Sequence, residues 1–203
     1  MKTEIIPVIH MLNATQVFAN VETCIKCGIE KVFLINHAVG KDDLIRCAYS
    51  VKHKNPSLWV GVNILGEPAN WLIGCELNVD GLWCDESISP NEDRHFMGML
   101  FGGLAFKYQP QPKDLKLACE EAKLTTDVAT TSGPGTGKAA DVEKIKLIRE
   151  YLGDHPMAIA SGISAENIHN YKGIADYLLV ASSITDKDEM IIENKLIELK
   201  SKL

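Results

Sequence analysis

The chain alternates between short apolar runs and amphipathic segments for most of its length. The apolar runs, such as residues 5–10 and 31–37, lack the apolar–polar alternation of a half-exposed strand, so they predict strands buried on both faces. Between them, apolar residues recur every three or four positions, as at Val142, Ile145 and Ile148, which predicts helices that pack by one face. Alternating buried strands and helices are typical of a parallel sheet.

Eight strands and eight helical segments are predicted along the chain. The predicted strands are residues 5–10, 31–37, 58–63, 81–85, 102–107, 127–131, 156–160 and 177–181. The predicted helical segments are residues 13–28, 42–55, 69–77, 87–94, 114–122, 141–152, 165–171 and 192–203. The fourth of these segments is polar and contains Pro90, so any helix there must be short.

Eight strand–helix units predict an α/β protein, and within that class they predict a closed (β/α)8 TIM barrel. Because 203 residues lie near the short limit for that fold, we expect a single domain over residues 1–203 with some trimmed helices. An open flavodoxin-like or Rossmann sheet would need fewer strands and a glycine motif after the first one. Residues 10–13 contain no glycine, so the closed barrel is favoured.

Composition and charge limit the classes of function. Hydrophobic residues make up 46% of the chain and the formal net charge is -6, with scattered lysines and arginines, which argues for a globular protein without a nucleic-acid surface. The chain has no run of about 18 apolar residues and no signal peptide at its start, so we expect no membrane span and a cytoplasmic location. Six cysteines are then expected as free thiols. A homo-oligomer is compatible with this composition.

Polar residues follow most of the predicted strands, and in a barrel the C-terminal strand ends meet at one site. Three of them are candidate catalytic residues: Asp85 as a general base, Lys107 for Schiff-base or acid–base work, and His10 to polarise a carbonyl or carry a proton. Asp85 is preferred over Glu86 because adjacent strand residues face opposite sides. The remaining polar strand ends, expected to line the site, are Asn36 and Asn63, with His37 beside the former. The structural alternatives are a capping carboxylate, a surface lysine and a buried histidine.

Two loops late in the chain predict a phosphate site. Gly162, Ile163 and Ser164 follow the seventh predicted strand, and Ser182 and Ser183 follow the eighth. Glycine permits a close approach of an oxygen to the backbone, and free N–H groups at a helix N-terminus bind anions. The alternative is that these are ordinary turn residues, which are rich in glycine and serine in any case.

A glycine-rich loop with a lysine follows the sixth predicted strand. Its candidate residues, expected to form a lid over the ligand, are Ser132, Gly133, Thr136, Gly137 and Lys138. A Walker A loop is excluded because Ser132 occupies the first glycine position and Ala139 follows the lysine. Residues 135–140 fit the loose dinucleotide pattern, but they come late and no acidic residue ends the next strand. A solvated loop without function is the alternative.

No cofactor or metal site is indicated by the sequence. Cys24 and Cys27 form a lone C-x-x-C inside a predicted helix without a second pair at zinc spacing, so packing and surface thiols are favoured. A divalent metal or a flavin phosphate would suit an anion-binding barrel, but no residue pattern supports either. Asp127 begins the sixth predicted strand, which places it away from the strand ends.

Residues 127–185 resemble the BtpA family, barrels of the ribulose-phosphate-binding type whose founding role is in photosystem I biogenesis. The resemblance rests on Ser132-Gly133 with Thr136-Gly137-Lys138, Ser161-Gly162 with Glu166-Asn167, Ala175-Asp176, the strand end at Val180-Ala181-Ser182-Ser183, and the opening Pro7-Val8-Ile9-His10-Met11. It implies the barrel fold and an anion site more firmly than a reaction. Phosphoribosylanthranilate isomerases have a similar Gly-Thr-Gly-Lys loop, but their first strand carries a catalytic cysteine where this chain has His10.

Two functions remain open from the sequence. The first is an enzyme acting on a phosphorylated small molecule, such as a sugar phosphate or nucleotide, by isomerase, lyase or aldolase-like chemistry. The second is a non-catalytic ligand-sensing or assembly protein that keeps the phosphate site. The polar ring at the strand ends favours the enzyme, because a scaffold would not need it.

Overall fold

The computed structural model describes residues 2–203 and contains a closed barrel of parallel strands in the order β1 to β8. The strands are β1 Glu4–His10, β2 Lys31–Ile35, β3 Trp59–Asn63, β4 Gly81–Cys84, β5 Met99–Gly103, β6 Val128–Ser132, β7 Met157–Ala160 and β8 Tyr177–Val180. Pairing of β8 with β1 closes the sheet. The predicted (β/α)8 barrel is therefore confirmed.

Helices follow most of the strands. They are α1 Ala14–Lys26, α2 Lys41–Lys54, α3 Ala69–Gly74, α4 Leu115–Thr125, α5 Val142–Leu152 and α6 Glu193–Ser201, with a 3-10 helix at Ile168–Asn170. The side chains of Asn13, Asp114 and Asp141 each accept the N–H three residues on and so cap α1, α4 and α5. None of the helices in residues 2–203 is long and apolar enough to cross a membrane.

The prediction of eight helical segments was wrong at two places. No helix forms between β4 and β5 in the described chain, where residues 87–94 are polar and contain Pro90. After β7, residues 165–171 form turns and only a three-residue 3-10 helix. These are the trimmed helices that the chain length predicted.

The fifth strand was predicted too late in the chain. It was placed at residues 102–107, but β5 spans Met99–Gly103. Gly102 and Gly103 form the end of the strand and not its beginning, and a Cβ atom on Gly103 would come within 2.0 Å of the Asp85 carbonyl oxygen. Lys107 was predicted to end this strand, but it lies in the loop between β5 and α4.

Strand residues alternate between two apolar clusters. One set, for example Ile5, Ile9 and Leu34, packs with the helices in the outer layer. The other set fills the barrel interior and includes Ile6, Val8, Phe33, Ile35, Trp83, Phe101, Phe106, Ala160 and Leu179. Aromatic rings stack edge to face inside the barrel, with Phe33 and Phe101 centroids 5.0 Å apart. The barrel is thus a packed core whose upper layer forms the floor of a cavity at the C-terminal strand ends.

Three aspartates stabilise the opposite, N-terminal edge of the barrel, each before an even-numbered strand. Asp80, Asp127 and Asp176 directly precede β4, β6 and β8, and each accepts the backbone N–H of the strand before. The same oxygens accept charged donors from Lys52, Arg94 and Arg149 respectively. Asp127 therefore has a structural role away from the C-terminal strand ends, as its position at the start of the sixth predicted strand indicated.

Candidate active site at the mouth of the barrel

A cavity of about 630 Å³ opens at the C-terminal ends of the strands. Ten residues selected from the sequence line it: His10, Asp85, Lys107, Thr136, Gly137, Gly162, Ile163, Ser164, Ser182 and Ser183. They come from strand ends and loops that are far apart in sequence. The fold therefore brings the predicted catalytic residues and the predicted phosphate loops to one cavity.

Lys107 reaches this cavity from its loop and is held there by hydroxyl groups. Its Nζ donates to Ser161 Oγ at 2.7 Å and to Thr136 Oγ1 at 3.3 Å. Its backbone N–H donates to the buried Ser132 Oγ at 2.8 Å. Burial lowers the pKa of Lys107, although the Asp85 charge acts in the opposite direction. The amine is thus easier to deprotonate than that of a surface lysine.

Asp85 lies in the cavity wall after β4. Asn63 Nδ2 donates to its Oδ1 at 3.1 Å, and burial raises the pKa of Asp85, partly offset by that hydrogen bond and by the Lys107 charge. The neighbouring Glu86 turns the other way, and its Oε2 accepts the Ala69 N–H at the start of α3 at 3.1 Å. Strand alternation explains why Asp85 faces the mouth and Glu86 stabilises a helix.

His10 lies at the end of β1 beside two further polar residues. Its Nδ1 is 3.2 Å from Glu189 Oε2, and its ring centroid is 4.5 Å from that of His37. Burial lowers the pKa of His37, and the neighbouring His10 adds to this effect. His37 was expected beside Asn36 at the second strand end, and it lines the cavity, whereas Glu189 carries no sequence signal because it belongs to the loop after β8.

The two predicted phosphate loops present unused backbone donors. Within residues 2–203, the N–H groups of Gly162, Ile163, Ser182 and Ser183 donate to no acceptor. The Ser183 hydroxyl is buried and also lacks a partner in that part of the chain. A buried donor without a partner costs about 1–3 kcal/mol, so a bound oxyanion would relieve that cost at the Ser183 hydroxyl and would also give the free N–H groups an acceptor. Both loops line the same cavity.

Two details differ from the predicted phosphate site. A helix N-terminus was expected behind each loop, but only the 3-10 helix follows β7, and a turn follows β8 before α6. Ser164 is engaged inside its own loop, because its N–H donates to Asn167 Oδ1 at 2.9 Å and its hydroxyl donates to Glu166. The available donors therefore come from backbone N–H groups and Ser183 rather than from a helix dipole.

The predicted lid divides into a buried base and an exposed tip. Ser132 is 1% exposed, and Gly133 approaches the Lys138 carbonyl so closely that a Cβ atom would lie 2.0 Å from it. At the tip, the Thr136 N–H donates to the Tyr108 hydroxyl at 3.2 Å, which joins this loop to the one carrying Lys107. Lys138 does not line the cavity.

The two asparagines expected to line the site lie behind it. Asn36 holds the loop after β3, where its Oδ1 accepts the Leu65 N–H at 2.7 Å. Asn63 is 2% exposed and contacts Asp85 rather than the cavity. Both residues support the wall of the mouth, and neither is among the residues that line the 630 Å³ cavity.

Backbone strain is concentrated at the mouth. Four non-glycine residues among those described have positive φ, namely Ala105 at 47°, Tyr108 at 62°, Ser161 at 71° and Glu189 at 55°. Each lies in a loop at the C-terminal end of the barrel, and such conformations cost on the order of 1–2 kcal/mol per residue. Strained residues of this kind cluster at functional sites, which supports the mouth as the place of function.

Neither a metal site nor a reactive thiol is found at the mouth among the residues that the structure describes. In residues 2–203 no group of three or more His, Cys, Asp or Glu side chains could hold a metal ion. Cys24 and Cys27 are free thiols, and burial raises the pKa of Cys24 to about 12. Neither cysteine contributes to the mouth.

Comparison with known proteins supports the fold. No family model and no curated protein matches the chain. Among solved structures, it is similar to phosphoribosyl anthranilate isomerase from Thermus thermophilus, with a TM-score of 0.71 and 11% identity over 98% of each chain. KDPG aldolase from Legionella pneumophila, with pyruvate captured as a covalent carbinolamine, has a TM-score of 0.70 and 12% identity over 99% of this chain and 92% of that one.

A third similar structure carries a phosphorylated ligand. It is (S)-3-O-geranylgeranylglyceryl phosphate synthase from Thermoplasma acidophilum in complex with sn-glycerol-1-phosphate, with a TM-score of 0.68 and 11% identity over 99% of this chain and 93% of that one. At such low identity, these likenesses establish the barrel fold and nothing about the reaction. The resemblance to the BtpA family stays a prediction.

Proposed function

We propose that this protein is an enzyme acting on a phosphorylated small molecule that contains a carbonyl group. The observation that carries the proposal is the pairing, in one cavity, of a half-buried lysine amine with two loops of unused N–H donors. The phosphate would bind the N–H groups of Ile163, Ser182 and Ser183. The carbonyl would then lie toward Lys107, whose Nζ contacts Ser161 next to the first of these loops.

Lys107 supplies the nucleophile in this proposal. Its neutral amine adds to the carbonyl carbon while the carbonyl oxygen takes a proton, and the resulting carbinolamine loses that hydroxyl as water to give an imine. Asp85 is suited to exchange these protons because burial raises its pKa. Structural similarity supports the proposal, since one similar barrel holds a carbinolamine and another holds a glycerol phosphate.

A second candidate is a phosphate-binding protein without turnover, which the resemblance to BtpA proteins also allows. The observation that favours it is that Lys107 Nζ already has two hydroxyl partners, Ser161 and Thr136. A lysine with a purely structural role would be held in the same way. A test must therefore measure covalent reaction at the Lys107 amine as well as binding of a phosphate.

Trapping with pyridoxal 5′-phosphate, a phosphorylated aldehyde, tests both parts of the proposal. With limiting reagent followed by borohydride reduction, peptide mass analysis should find the label mainly on Lys107, and inorganic phosphate should compete with it. Lys107→Met should lose this label, and Lys116→Met, which changes an exposed lysine on α4, should keep it. Labelling spread evenly over surface lysines would contradict the enzyme proposal, and phosphate-competed binding without Lys107 labelling would favour the second candidate.

A further inference from the structure

Glu189 is placed beside His10 by an arrangement that sequence patterns did not indicate. The two residues belong to the loop after β8 and to the end of β1, and His10 Nδ1 lies 3.2 Å from Glu189 Oε2. Glu189 occupies the tip of a small hairpin whose arms meet at the bridge between Thr185 and Ile191. Its φ of 55° is unfavourable for a residue with a side chain.

Buried amides on α1 hold this strained residue in place. The Glu189 carbonyl accepts Gln16 Nε2 at 2.9 Å and Asn20 Nδ2 at 2.8 Å. Asn20 also accepts the Ile191 N–H at 2.8 Å, so it fastens both sides of the hairpin tip. Asn20 is 0% exposed, and buried amides are costly unless they are paired. The polar positions of α1 are thus used to fix the backbone of Glu189.

The same amide of Gln16 connects Glu189 to the strand that carries His10. Gln16 Nε2 donates to the His10 carbonyl at 3.1 Å as well as to the Glu189 carbonyl. One side chain therefore sets the position of both members of the pair. The other face of His10 is covered by His37, whose pKa is lowered by burial, by His10 and by the positive charge of Lys107.

We propose that Glu189 is a positioning residue that keeps a proton on His10 Nδ1 and so leaves Nε2 free to accept a proton from a ligand in the mouth. In a histidine, the partner of one ring nitrogen decides which nitrogen carries the proton. Within residues 2–203, the only partner near the ring is the Glu189 carboxylate at Nδ1, 3.2 Å away, neither ring nitrogen makes a further hydrogen bond, and the residue lines the cavity.

This inference rests on the proposed function only for the role of His10 toward a substrate. There, His10 would be the catalytic base that removes a proton from the carbon next to the carbonyl or imine, on the opposite side of the mouth from Lys107. The bond between that carbon and its hydrogen breaks, the proton moves to Nε2, and the electron pair stays with the substrate. Glu189 touches no substrate in this scheme and acts through His10.

The protonated ring nitrogen can be read directly in the ligand-free protein. Long-range ¹H–¹⁵N spectra of histidine-labelled protein, with His10 assigned by a His10→Gln variant, should show the neutral ring protonated at Nδ1. Glu189→Ala should move the proton to Nε2 or populate both forms. Glu193→Ala, which removes a nearby carboxylate that pairs with Lys26 instead, should leave the His10 signals unchanged.

A second variant separates strain from charge. Glu189→Gly also removes the carboxylate but relieves the positive φ, so it should change the His10 signals as Glu189→Ala does while unfolding at a higher temperature than that variant. An Nε2-protonated His10 in the wild type, or unchanged signals in both Glu189 variants, would overturn the proposal. Because no ligand is present, these results stand whether or not pyridoxal 5′-phosphate labels Lys107.

Discussion

At the residue scale, two partly buried ionisable groups, Asp85 and Lys107, face the same cavity, and burial shifts their pKa values in opposite directions. It raises the pKa of Asp85 and lowers that of Lys107, because both charged forms lose hydration. The two values are therefore drawn toward each other. Two groups whose pKa values are shifted toward each other exchange protons more readily than ordinary surface lysines and aspartates do.

Asp85→Asn should stabilise the protein at neutral pH. A raised folded-state pKa means that the folded state binds more protons than the unfolded state between the two pKa values, so stability falls as pH rises through that window. Urea unfolding should therefore show a gain in unfolding free energy for Asp85→Asn at pH 7 that shrinks toward pH 4. The exposed Asp154→Asn should show no such gain, and an equal effect of both variants would contradict the account.

Lys107 should form imines at lower pH than surface lysines. Its lowered pKa leaves more neutral amine at any pH between its own value and the ordinary one. Borohydride trapping at a series of pH values, with short exposure to pyridoxal 5′-phosphate, should show half-maximal labelling of Lys107 at a lower pH than labelling of Lys116. The same pH dependence at both lysines would argue against a perturbed amine.

At the scale of elements, the mouth depends on close packing between the loops after β6 and β7. Gly162 has φ of 67°, and a Cβ atom there would lie 2.2 Å from backbone atoms of Lys138 and Ala139. Ser161 next to it binds Lys107 Nζ, so the loop contact also places the lysine. The glycine predicted as a phosphate ligand thus has a packing role that its sequence context did not reveal.

Gly162→Ala should separate these loops. We expect a loss of more than about 2 kcal/mol in unfolding free energy, from the positive φ and the steric overlap together, and a loss of pyridoxal 5′-phosphate labelling at Lys107. Gly173→Ala is the matched control, since Gly173 also has positive φ, 75°, but nothing within 4 Å of its Cβ position. That control should cost only about 1–2 kcal/mol and keep the labelling. Equal losses would show that the loop contact is unimportant.

The aspartate contacts at the N-terminal edge should contribute to the unfolding free energy. Arg149 donates to Asp176 and to the carbonyls of Gly153, His155 and Ile174, and the pair is mostly buried. Arg149→Ala should therefore lower the unfolding free energy by about 1–3 kcal/mol, measured by urea unfolding. Lys146→Ala removes an exposed partner of Glu143 and should cost less than about 0.5 kcal/mol. Similar costs for both would contradict this structural role.

Helices and strands were predictable from sequence where periodicity and caps agree, as in α5, where Asp141 caps a helix with its apolar face at Ile145, Ile148 and Leu152. β5 was predicted too late because the whole run 97–106 is apolar and glycine-rich, so the sequence does not mark where the strand lies within it, and pairing with β4 and β6 sets its position. Local patterns therefore predict elements well until tertiary contacts, rather than propensity, decide the boundary.

At the scale of the whole molecule, the closed barrel gathers side chains that the sequence keeps apart. Strand count and alternation predicted the fold, and the rule that barrel strand ends converge predicted Asp85 and His10 in one cavity. No local pattern could place Glu189 beside His10, or tie Lys107 to Ser161, because those contacts exist only after the sheet closes. The single domain over residues 1–203 stays a prediction.

The central claim is that the loops after β7 and β8 bind the phosphate of a ligand at the mouth, and an amide titration tests it most directly. Addition of inorganic phosphate to ¹⁵N-labelled protein, with chloride at equal ionic strength as the control, should give saturable shifts largest at Ile163, Ser182 and Ser183. These residues carry three of the four N–H groups in the two loops that donate to no acceptor within residues 2–203. Saturable shifts centred elsewhere, or none beyond those caused by chloride, would contradict the claim.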